Sequence, residues 1–153
     1  MSAVVQRQAF EVGAQYDGLL REVSGAAVVS FTGYVRDLCE HGEVMALELE
    51  HYPGMTEKIL AEIGDTAARR FGLRGWRIIH RFGVLEEGEA IVWAGAAADH
   101  RTDAFSGCQY MMDNLKTRAP FWKREHLRDG SAIWVKAKDL DVQRQRDWQD
   151  RDL

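Results

Sequence analysis

Cysteine is scarce in this 153-residue chain, and so is proline: Cys39 and Cys108, Pro53 and Pro120 are all there is. With no CxxC pair, neither a disulfide framework nor a zinc site is indicated, and the chain fits a reducing compartment. Long apolar runs are missing as well. Nowhere do about eighteen apolar residues follow one another, and the opening MSAVVQRQAFEV has neither a basic nor an apolar leader region. The sequence therefore reads as a soluble, unprocessed, cytoplasmic protein without membrane association. A basic excess is also lacking, since the formal net charge is −4, which argues against bulk nucleic-acid binding. Neither GxGxxG, a Walker loop, GxSxG nor HExxH is present. His41, His51, His80, His100 and His126 show no ligand spacing, so no metal is expected. Nor are there repeats or linkers. The length suits one domain that buries about 70% of its unfolded surface.

One stretch stands out against this background. Residues 115–125, LKTRAPFWKRE, place four cations and two aromatics around Pro120 with a single Glu to offset them, a local +3 in an acidic chain. No alternation of opposite charges dilutes it, and disordered basic tails rarely carry Phe-Trp. The block reads as the wall of a pocket for an anion.

Hydrophobic periodicity supplies the frame. A short strand is predicted at 4–8 and a helix at 13–23, with Tyr16, Leu19, Leu20 and Val23 at helical spacing. Residues 26–35 are β-rich, and Gly33 inside them marks a bulge or a close backbone approach. Residues 37–42 read as a polar, mobile loop. From Val44 onward, Met45, Leu47 and Leu49 alternate with Ala46, Glu48 and Glu50, the pattern of a half-buried strand. Beyond Pro53-Gly54, Ile59, Leu60, Ile63 and Ala67 stripe a helix over 55–71 that Gly72 ends. Two strands follow, one with Trp76, Ile78 and His80 on a common face, the other over 90–98 and covered on both sides because Ile91, Val92 and Trp93 are consecutive, with 86–89 as the turn between them.

A second helix after His100-Arg101 carries Phe105, Cys108, Met112 and Leu115 as its apolar stripe. It must stop short of Pro120, because the residue before a proline is pushed out of the α region. Strands at 121–127 and 132–137, turning through Asp129-Gly130, complete an order without regular βαβ repetition, so the class is α+β. One domain over 1–138 is followed by a polar tail over 139–153, partly mobile or docked on a neighbour.

Lys116 falls in the last turn of the second helix and Lys123 in the strand beyond the proline. There Phe121, Lys123 and Glu125 share one face, while Trp122, Arg124 and His126 take the other. The reversal at Pro120 can bring both lysines to one pocket. Together they either hold a phosphate or, by mutual repulsion, leave one amine neutral for proton transfer or attack. Complementing the helix dipole is the ordinary alternative for either one. His100-Arg101 sits where a strand meets a helix N-terminus, a place that already favours anions. Arg36 ends a strand, and an ordinary strand-end arginine explains it equally well. Cys108 lies on the apolar stripe and reads as a buried structural thiol, whereas Cys39 sits in an exposed loop between Asp37 and Glu40, which disfavour its thiolate.

Taken together, FTGYVR (31–36), LELEHYPGMTEK (47–58), IIHRFG (78–83), DHR (99–101) and MDNLKTRAPFWKRE (112–125) resemble the catalytic large subunit family of molybdopterin synthase, in order and over nearly the whole chain. The resemblance implies an α/β hammerhead-like fold with an additional antiparallel sheet. It also implies a homodimer within a heterotetramer, with a small ubiquitin-like sulfur-carrier subunit at each end whose C-terminal Gly-Gly is a thiocarboxylate. The implied reaction is a sulfurtransferase step of molybdenum cofactor biosynthesis. Cyclic pyranopterin monophosphate gains two sulfurs as a dithiolene, its cyclic phosphate opens, and molybdopterin results, with no cofactor in the protein itself. Sulfur arriving on the partner's tail accounts for the lack of a suitable cysteine.

By the same resemblance, Lys116 and Lys123 are similar to the family's two essential lysines. Arg36, His100, Arg101 and Arg124 would line the anion pocket, and Tyr34, Val35 and Glu125 would complete the substrate contacts. Lys138 stands where an arginine is expected; the two differ in phosphate geometry, so it stays outside the site. Two non-catalytic readings compete: a module that holds a ubiquitin-like tail, and a single-stranded nucleic-acid module that stacks bases on Phe121 and Trp122.

Overall fold

In chain order the elements are β1 (Ser2–Gln6), α1 (Val12–Glu22), β2 (Ala27–Tyr34), β3 (Leu38–Cys39), β4 (Gly42–His51), α2 (Met55–Phe71), β5 (Gly75–Arg81), β6 (Gly83–Glu86), β7 (Ala90–Ala98), α3 (Arg101–Arg118), β8 (Phe121–Leu127), β9 (Ala132–Val135) and α4 (Asp139–Asp150). The structure, a computed structural model, describes all residues except 26, 40, 41, 136–138, 152 and 153, and all side chains except those of Leu38, Asp139 and Leu140 as well. Lys138 and the end of the strand expected over 132–137 lie outside the described residues. The strands form two sheets. One runs β1-β5-β7-β2, with β1 parallel to β5 and the other pairings antiparallel. The other runs β3-β4-β8-β9 with β6 also on β4, antiparallel throughout. The α+β class expected from the order of elements is the class observed.

β5 and β7 are covered on both faces, which is why their sequences are almost continuously apolar. Trp76, Ile78, Val92, Ala94 and Ala96 pack with Leu60, Ile63 and Ala67 of α2 and with Cys108, Met111 and Leu115 of α3. On the reverse side Ile79, Trp93 and Ala97 meet Leu19 of α1. α2 begins at Gly54 (φ 85), whose N–H donates to the Glu57 carboxylate at 2.7 Å, and ends at Gly72 in the left-handed region (φ 62). The second sheet has a smaller core of Val35, Val44, Leu49, Leu85 and Leu127.

Several expectations need correcting. Residues 37–42 are not simply a loop, since they contain β3, which pairs with the start of β4. A register shift between Val44 and Ala46 breaks the expected alternation, leaving Met45 exposed and Ala46 buried. β6, for which periodicity predicts nothing, lies on β4 before the 86–89 turn. Of the expected stripe of α3, Cys108, Met112 and Leu115 are buried but Phe105 is exposed; Ala104 takes the inward place in that first turn, and Met111 widens the buried face.

The polar segment from 139 forms α4, which packs on its own chain. Trp148 enters the main core, its Nε1–H donates to Asp113 Oδ2 at 2.7 Å, and its carbonyl accepts from Arg70 Nη2 at 3.0 Å. The Arg70 guanidinium lies over the rings of Phe71, Tyr110 and Trp148. A single aromatic anchors an otherwise polar helix.

Candidate active site

Pro120 makes the corner that brings the lysines together. α3 ends at Arg118, Ala119 is extended, and the Phe121 N–H donates to Ala119 O at 2.8 Å, so β8 leaves the helix at once. Lys116 and Lys123 then line one cleft of about 660 Å³. It opens on the seam between the two sheets, with Phe31, Gly33 and Val92 on one side and Val44, Leu47 and Phe121 on the other.

Tyr34, Val35 and Arg36 continue the lining beyond a bulge in β2 between Gly33 and Tyr34. Val35 is buried and pinned, its N–H donating to Glu89 O at 2.9 Å and its carbonyl accepting from Gly88 N–H at 3.0 Å. Tyr34 and Arg36 are exposed at the rim. Glu125 lines the same cleft as Lys123, as strand alternation requires. Its Oε2 is buried and, among the described residues, has no hydrogen-bond partner. A buried carboxylate oxygen in that condition wants a donor from a ligand or from water.

Arg124 takes the opposite face of β8 and does not line the cleft. Its Nε–H donates to Glu48 Oε2 at 2.8 Å, its Nη2 lies 2.6 Å from the same oxygen, and its guanidinium lies over the Trp134 ring. That bond holds the Glu48 carboxyl below the usual carboxylate range. His100 and Arg101 are also outside the lining of this chain's cleft. They are exposed at the N-terminal end of α3, and the rise from Arg101 to Lys116 along the helix is about 22 Å.

Cleft residues that the sequence does not single out for it include Cys39, His80 and Asp141. Cys39, expected in an exposed loop, lines it because β3 folds back on β4. His80 lines it too, buried at 4% exposure and stacked on Phe121 with ring centroids 3.8 Å apart. The sequence signals for it are its place beside Trp76 and Ile78 on one strand face and its membership of the IIHRFG block at 78–83. Cys108 is buried as expected; its Sγ–H donates to Ala94 O at 3.6 Å, and burial pushes its pKa up to about 12, which leaves the thiol inert.

The family model described as MoaE protein matches residues 5–118, most of the chain. The chain belongs to the MoaE protein family. Its MoaE relatives in Vibrio cholerae serotype O1 and Escherichia coli K12, both named molybdopterin synthase catalytic subunit, are 45% and 49% identical to it over 145 residues, 95% of this chain and 96% of each of theirs. A solved structure of the MoaE protein from Burkholderia ambifaria MC40-6 is similar at a TM-score of 0.81 and 42% identity, covering 97% of both chains. The family match ends with α3, so it takes in Tyr34 to Arg36, His100, Arg101 and Lys116 but stops before β8.

Proposed function

We propose that this protein is a molybdopterin synthase catalytic subunit, a sulfurtransferase that converts cyclic pyranopterin monophosphate to molybdopterin. The sulfur comes on the C-terminal thiocarboxylate of a small ubiquitin-like subunit. The observation that carries the reading is the convergence of Lys116 and Lys123 on one cleft in a member of the MoaE family. Both visitors to that cleft are anions, and sulfur transfer from an acyl carbon develops oxyanion charge that preplaced cations stabilise without reorganising. Lys116 has the central acid/base or electrostatic role, Lys123 supports it, and Arg36 at the rim meets the phosphate. Glu125 Oε2 accepts a hydrogen bond from the substrate. Arg124, tied to Glu48, holds β8 on β4 and so keeps Lys123 and Glu125 in place.

His100 and Arg101 are too far along α3 to serve the cleft of their own chain, so they serve that of a second copy in a homodimer. No helix among the described residues is long and apolar enough to cross a membrane, and the reading places the enzyme in the cytoplasm. A nucleic-acid role is disfavoured by the loss of Phe121 to the stack on His80.

The protein mixed with the thiocarboxylated small subunit and the cyclic pterin monophosphate should form the dithiolene product. Lys116→Ala should slow it by about 100-fold or more, with the circular dichroism spectrum unchanged and Lys123→Ala less affected. Near-normal product from Lys116→Ala would sink the assigned role.

A further inference from the structure

Beneath the two lysines sits a group that the proposed reaction has not used. His80 belongs to β5, is 4% exposed and lines the cleft. Its Nδ1 lies 2.8 Å from Arg81 O. A carbonyl only accepts, so Nδ1 carries the hydrogen, and in a neutral ring Nε2 remains as a bare acceptor. The ring is neutral: burial above all drives its pKa down to about 3, and Lys123, Lys116 and His51 each disfavour a further positive charge against the opposing pull of the Arg81 carbonyl. The stack on Phe121, nearly parallel at 17°, fixes the plane of the imidazole. Phe121 is two residues before Lys123 on the same face of β8, so the stack also fixes where the lysine stem leaves the strand.

We propose that His80 is a positioning residue for Lys123: its imidazole, tied to the Arg81 carbonyl and clamped on Phe121, offers Nε2 as the neutral acceptor that steers the lysine ammonium toward the substrate. The assignment rests on the sulfurtransferase reading. A neutral acceptor suits the task, because a carboxylate would cancel the positive charge that anionic substrates need, and an apolar side chain would give the ammonium no direction.

Two variants in the complex with the thiocarboxylated small subunit separate this role from space filling. His80→Gln keeps one donor and one acceptor but loses the ring, whereas His80→Phe keeps a ring to stack but has neither. The Gln variant should retain most of the wild-type kcat. The Phe variant should lose about tenfold in kcat, the size of one lost hydrogen bond to a charged group, with KM little changed. Equal rates, or the Phe variant ahead of the Gln variant, overturn the proposal. Nitrogen-15 NMR of the imidazole in the unmutated protein reads the same geometry where no folding defect intervenes. Nε2 should show as the unprotonated nitrogen at neutral pH, and a proton found there overturns the proposal as surely as the kinetics. If the wild-type complex forms no dithiolene, it is the sulfurtransferase reading that fails, and the NMR measurement still decides the tautomer.

Discussion

Protonation is what His80 resists. Its pKa in the folded protein is about 3, against an ordinary value of 6.5, so below pH about 6.5 the unfolded chain takes up a proton that the folded chain refuses. The stability linked to this residue is therefore intact above that pH and declines as the pH falls toward 3, by up to about 1.4 kcal/mol per unit. Denaturation followed from pH 7 to pH 4.5 should show a shallower decline for His80→Phe than for wild type, and equal slopes would mean that the imidazole is not held neutral. Strand periodicity sets His80 on one face with Trp76 and Ile78, and that face is buried. Its partner did not follow from periodicity, because the stack joins β5 to β8, which lie in different sheets. Arg124 teaches the same lesson: alternation turns it away from Lys123, but only the register of β4 on β8 sets Glu48 opposite it.

Elements long enough to show a period were legible. α2, β7 and α3 lie within a residue or two of their expected bounds, and β5 contains the expected face of Trp76, Ile78 and His80, because two-sided burial and a helical stripe each leave a repeating signature. β3 and β6, at two and four residues, are too short to carry one. α4 reads as a polar tail in the sequence because its helix is mostly polar; among the described side chains Trp148 is the one that enters the core. Packing between elements makes its own demand at Gly64, where an added Cβ would lie 2.3 Å from the Trp76 ring. Gly64→Ala should cost about 1–3 kcal/mol by forcing α2 off β5, read as a lower urea midpoint at an unchanged m-value. A midpoint equal to wild type would show that the helix can give way freely.

At the scale of the whole molecule, Lys116 and Lys123 could be joined from sequence because the corner at Pro120 is local. His100 and Arg101 are marked in the sequence by their place at a helix N-terminus, but only the resemblance ties them to the anion pocket, since no spacing within one chain brings them to that cleft. If they serve a neighbour's cleft, two inactive chains should rescue each other. A mixed dimer of Lys116→Ala with His100→Ala/Arg101→Ala carries one cleft with a complete set of side chains, so subunit exchange between the two variants should restore dithiolene formation. No recovery after confirmed exchange would assign the pair a different task.

Among the described residues no strand is common to the two sheets, and the cleft runs along the line where they meet. A pterin phosphate seated there would act as mortar, gripped by α3 and β2 on one bank and by β8 on the other. Binding would stiffen the molecule along that joint, and release of product would loosen it again. Each turnover would then be felt mechanically by both halves of the fold.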